Sequence, residues 1–98
     1  MAPAGTTIGA ATQLSAQFNV VDGATGGARA VALPAGTTGG TCIVRHTAIA
    51  VDLLIFPKNG DSASINGASA NAAFTLFGAT GGTQQEFIAS DATHWYSN

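Results

Sequence analysis

His46, Asp52, Asp61 and His94 are the side chains of this sequence whose types could assemble a metal or acid-base site. Metal binding needs donors at spacings that a local fold can converge, such as two histidines one helical turn apart or a Cys-x-x-Cys pair. The spacings among these four match neither pattern. Nucleophilic catalysis needs a hydroxyl or thiol held against a base. No serine stands in a Gly-x-Ser-x-Gly elbow. Cys42, flanked by Thr41 and Ile43, has the setting of a small buried hydrophobe. Gly78, Gly81 and Gly82 follow no strand-to-helix phosphate loop and are expected at a hairpin tip. A small hydrolase built on His46 or His94 with a carboxylate is the enzyme reading. The expectation is instead a strand-edge histidine, two turn carboxylates and a terminal histidine, with no catalytic residue, metal or cofactor.

Composition narrows the function classes. Charged residues make up 8% of the 98-residue chain, while 46% is apolar and 13 residues are glycine. An average soluble domain carries roughly a quarter charged residues. A surface so weakly charged has little self-repulsion, which favours a protein packed against copies of itself or another surface. With Arg29, Arg45 and Lys58 as its cations and a net charge of -2, the chain has no basic stripe to neutralise phosphates, so nucleic acid is not an expected partner. No apolar run reaches membrane-spanning length, and Met1 to Gly5 has neither the basic nor the apolar region of a signal peptide. No membrane partner is expected, and the site of synthesis is expected to be the cytoplasm. A single cysteine cannot form an internal disulfide, so stability must come from packing or assembly.

The elements that would position any site read as short strands. Met1 to Thr12, almost wholly Ala, Gly and Thr around Ile8, offers too little apolar area to offset ordering and is expected as a flexible arm, with a single domain over 13–98. Phe18 to Val21 leads into an Asp22-Gly23 turn, and Thr12 to Gln17 before it could support a helical turn. Arg29 to Leu33 is the next strand, stopped by Pro34 and the glycine-rich run to Gly40. Thr41 to His46 has both faces partly apolar and is expected to be central. After a 47–50 connection, Val51 to Phe56 is the strongest strand.

Pro57-Lys58-Asn59-Gly60-Asp61 must reverse the chain, because proline stops the strand and Asn-Gly admits left-handed backbone. Ser64-Ile65, Ala72 to Phe77, Gln84 to Ala89 and His94 to Tyr96 complete the set, with Phe87 and Trp95 as bulky core candidates. About seven or eight short strands at turn spacings, without a convincing helix, point to an all-β fold, a small antiparallel β-sandwich or barrel.

Ala30-Val31-Ala32-Leu33-Pro34-Ala35, Leu54-Ile55-Phe56-Pro57, Gly60-Asp61, Ile65-Asn66-Gly67, Asn71, Phe74 and Trp95-Tyr96 follow one another in an order that resembles a small β-domain of tailed-phage virion proteins. The resemblance covers about residues 17–96 and departs from the pattern at Ala63-Ser64, where the turn is longer. It implies a structural role: a free-standing capsid decoration, or cement, protein on the virion surface. Its implied partners are the major capsid protein and its own copies, as a homotrimer. Ala2, Pro3, Thr6, Thr7 and Ile8 of the arm are the expected capsid contacts. Related domains in head fibres and tail-associated proteins supply an alternative, host attachment through carbohydrate, with Trp95 and Tyr96 stacking on sugar rings. Burial of Trp95 against Phe74 and Phe87 is the expectation set against that alternative. Asn59, Asn66 and Asn71 are expected to form turns, since glycine follows the first two.

Overall fold

A computed structural model describes residues 1–48 and 50–98. Ile49, inside the expected 47–50 connection, lies outside them. Among the described residues there are nine strands: β1 (Thr12–Gln13), β2 (Phe18–Val21), β3 (Ala30–Ala32), β4 (Thr41–His46), β5 (Leu53–Phe56), β6 (Ser64–Ile65), β7 (Phe74–Leu76), β8 (Thr83–Asp91) and β9 (His94–Ser97). No helix occurs among the described residues. The fold is all-β, as the strand patterns imply, and the Thr12 to Gln17 stretch supplies β1 in place of a helical turn.

Two sheets form, one in the order β1-β3-β5-β7 and the other β2-β4-β8-β9-β6. Both have free edges, so the molecule is consistent with a sandwich and is not a closed barrel. Nor is it purely antiparallel: β1 with β3, β3 with β5, β2 with β4 and β6 with β9 all pair parallel. The reason lies in the route of the chain. From β1 to β8 each strand lies in the sheet opposite its predecessor, so a strand meets its neighbour only after an excursion across the sandwich. Such a crossover can return the chain in its original direction, which a tight hairpin cannot do, and it does so for β1–β3, β3–β5 and β2–β4, whereas β5 with β7 and β4 with β8 pair antiparallel. Only β8 and β9 are consecutive neighbours, and they join antiparallel through a bulge near Ser90.

The period of two along each strand divides its side chains between core and outside. Val31, Leu53, Ile55 and Leu76 from the first sheet meet Val21, Cys42, Val44, Ile65, Phe87, Ala89 and Trp95 from the second in one buried cluster, together with Leu14 and Leu33. β4 lies between β2 and β8, which is the central position its two apolar faces imply.

The opposite face of the first sheet is also covered. Ala30, Ala32 and Phe56 form a second buried cluster against Ile8, Ala11 and Leu54. The cover is the 1–12 segment, expected from composition as a flexible arm. Pro3 is buried, the Ala4 N–H donates to the Ala30 carbonyl at 3.0 Å and the Arg29 N–H donates to the Gly5 carbonyl at 2.9 Å. At its start the Met1 ammonium donates to the Val20 carbonyl at 2.8 Å and lies 3.5 Å from the Asp22 carboxylate. Small alanines on the sheet leave a shallow surface, and a thin segment carrying one isoleucine suffices to cover it.

Candidate functional site

The four residues that could do chemistry are dispersed. His46 is fully buried, and its Nε2–H donates to the Val51 carbonyl, an acceptor that fixes the proton on that nitrogen. Asp52 accepts the Gly78 N–H at 3.1 Å, and the Asp61 N–H closes a turn on the Lys58 carbonyl. His94 is exposed and opens β9, directly after the Ala92-Thr93 turn from β8. His46 pairs with Thr83 at one end of β8, whereas His94 pairs with Asp91 at the other. The ends of this nine-residue strand are about 25 Å apart at the rise of a β-strand. The two histidines therefore sit in separate surroundings.

His94 does have a partner that its sequence context did not single out. Its Nδ1 lies 2.7 Å from Asp91 Oδ1, and that oxygen also accepts the Thr93 N–H at 2.9 Å and the Thr93 hydroxyl at 3.3 Å. The Asp91 carboxyl is held below its ordinary range, first by the Thr93 N–H and then by His94. For a base to activate a hydroxyl, the hydroxyl must approach the ring nitrogen that faces away from the orienting carboxylate. Here the Thr93 hydroxyl is on the Nδ1 side, 3.2 Å from it, in contact with Asp91 itself. The arrangement orders a two-residue turn. The cue available in the sequence was the Asp-x-x-His spacing across Ala92-Thr93.

Trp95 and Tyr96, taken together as a sugar platform, are divided by the strand period. Trp95 is 2% exposed within the main core and Tyr96 is 45% exposed on the opposite face, so burial of Trp95 holds and a paired aromatic platform does not form. Asn66 and Asn71 adopt left-handed backbone at φ 56 and 66, and Gly60 and Gly67 do so at 93 and 73, consistent with turn roles. Among the arm residues, Ala2, Thr6 and Thr7 are exposed, Pro3 is buried and Ile8 is half-buried against the first sheet. Among the described residues the protein has no pocket, no group of three or more potential metal ligands, and no helix long and apolar enough to cross a membrane.

What remains is a surface. On the outer face of the second sheet, Phe18 stands opposite Ile43 and Val20 opposite Arg45. Farther across, Ile88 stands between Thr41 and Tyr96. Phe18 and Val20 are 51% and 43% exposed, and Ile43 and Ile88 are half-buried. The charged side chains in this field are engaged within the chain: Arg45 donates to the Gly81 carbonyl, and Glu86 accepts the Asn98 amide at 2.7 Å. The two sheets thus differ outside the core. One carries the 1–12 segment, whereas the other presents aromatic and branched apolar groups to its surroundings.

No protein-family model, curated protein or solved structure matches this chain.

Proposed function

We propose that this protein is a structural virion subunit, a capsid decoration protein that binds the outer surface of a phage head as a homotrimer and reinforces contacts between major capsid subunits. The observation that carries the reading is the outward apolar field of Phe18, Val20, Ile43, Ile88 and Tyr96 on a molecule with 8% charged residues. Burying such a field is favourable by about 25 cal/mol per Å² of apolar area. In the trimer this face contacts neighbouring copies, while Ala2, Thr6 and Thr7, exposed along the 1–12 segment, face the shell. The ordered resemblance to phage virion β-domains adds to the same reading. The carbohydrate alternative is weakened because Trp95 is in the core, leaving Tyr96 as a lone exposed ring.

Quantitative mass spectrometry of purified particles tests the location. Copies in proportion to the major capsid protein support a decoration protein, and a few copies per particle count against it. Light scattering tests the self-contact. The purified chain is expected to be trimeric, and Phe18→Asp combined with Tyr96→Asp is expected to yield a folded monomer. A monomeric wild-type chain at high concentration would remove the trimer from the proposal.

A further inference from the structure

The chain contains two Asn-Gly pairs, Asn59-Gly60 and Asn66-Gly67, and the fold treats them differently. Both occupy turns. The Asp61 N–H bonds to the Lys58 carbonyl around Asn59-Gly60, and Gly60 has φ 93, as the third position of a type II turn requires. The Ala68 N–H bonds to the Ile65 carbonyl around Asn66-Gly67, where both central residues have positive φ, as in a type I′ turn.

Their side chains differ. Asn66 is fastened at both ends of its amide: Nδ2 donates to Ser97 Oγ at 2.9 Å, and Oδ1 accepts the Ser97 N–H at 2.9 Å. Its own N–H donates to the Trp95 carbonyl at 2.8 Å, which extends the β6–β9 pairing. Asn59 is exposed, and the Gly60 N–H has no backbone acceptor among the described residues.

We propose that Asn59 is a site of spontaneous deamidation in the folded protein and that Ser97 protects Asn66 from the same reaction. The Gly60 backbone nitrogen, giving up its proton, attacks Cγ of Asn59. The new C–N bond closes a five-membered succinimide, the bond from Cγ to Nδ2 breaks, and the amide nitrogen leaves as ammonia with the proton. Water then adds to either ring carbonyl and opens it to aspartate or isoaspartate. One water is consumed, one ammonia is released, and nothing is oxidised or reduced. Glycine favours the step because no Cβ obstructs the attacking nitrogen and its backbone turns freely. At Asn66 the attack must first rotate the amide out of two hydrogen bonds, which raises the barrier. The product adds a negative charge between Lys58 and Asp61, in a chain with 3 cations and 5 acidic residues.

The test is incubation of the intact protein in mildly alkaline buffer at body temperature, with fragment-ion mapping of deamidated positions. Asn59 is expected to convert at least about tenfold faster than Asn66, and the acidic form is expected to appear on isoelectric focusing. In concentrated urea the two rates should converge. Ser97→Ala should raise conversion at Asn66 and leave Asn59 unchanged, and Asn59→Gln should abolish the early acidic band. Equal rates in the folded protein, faster conversion of Asn66, or a rate difference that persists in urea would overturn the proposal.

Discussion

The ring of Phe87 meets Phe74 edge to face, with centroids 5.2 Å apart and planes at 88°. The pair bridges the two sheets, since Phe74 belongs to β7 and Phe87 to β8. Phe87 is wholly buried, while Phe74 packs from the margin of the core. Phe87→Ala is expected to cost about 3–5 kcal/mol, a large share of the roughly 5–15 kcal/mol available to a domain. Phe74→Ala should cost less. In a double-mutant cycle followed by urea unfolding, the rings should show a coupling of about 1 kcal/mol, and additive losses would mean that the contact is only shared burial.

The 1–12 segment is expected to be structural as well as exposed. Ile8→Ser removes the main apolar group over Ala30, Ala32 and Phe56 and should lower stability by about 1–2 kcal/mol. The Ala4 and Arg29 amides, both bonded across this seam, should exchange slowly with solvent. Deleting residues 2–12 should lower the melting temperature further. An unchanged melting temperature would return the segment to the role of a free arm.

Asp91 provides the pH prediction. Its carboxyl is lowered by the Thr93 N–H first and by His94 second, so its folded value lies below its unfolded one, near 3.9 for an ordinary aspartate. The stabilisation it contributes is therefore complete above that unfolded value and disappears as acid takes the solution down through the folded value. An NMR titration of the carboxyl carbon should place the midpoint below the ordinary aspartate value. His94→Ala should move it part of the way back, because the Thr93 N–H remains.

Cys42 should be inert. Burial pushes its thiol up to about 11, opposed by the weaker effect of the Asn19 amide, whose Nδ2 lies 3.4 Å from Sγ. The thiolate is the reactive form, so a thiol reagent at neutral pH should label the native protein very slowly and the urea-unfolded chain at once. Rapid native labelling would show that this part of the core opens readily.

The strands were legible because their signals are local. Cys42 and Val44 alternate with Ile43 and Arg45, and Pro34, Pro57 and the Asn-Gly pairs mark where strands stop. Strand direction is not encoded in such alternation, since a parallel or antiparallel neighbour buries the same face. That is why the pairing of Val31 with Ile55 in parallel could not be read. β1 is two residues long, too short to show a period. The packing of the 1–12 segment was not legible in its own apolar content, because the shallowness of the surface that receives Ile8 is a property of Ala30 and Ala32. Among the candidate site residues, burial of Trp95 followed from strand spacing, whereas the partnership of Asp91 with His94 required the turn itself. The outward field formed by Phe18, Ile43, Ile88 and Tyr96 depends on which strands become neighbours, so no stretch of sequence displays it.

The alternation of consecutive strands between the two sheets also constrains how the chain can fold. Apart from β8 and β9, no strand pairs with the one made just before it, so each early strand must reach past its predecessor to an earlier one. Loop closure must precede most of the reward, which slows folding and lengthens the exposure of apolar strands. β4 needs β8, and β6 needs β9. The second sheet can therefore close only after the C-terminal hairpin has emerged, making that hairpin the step on which productive folding of every newly made copy depends.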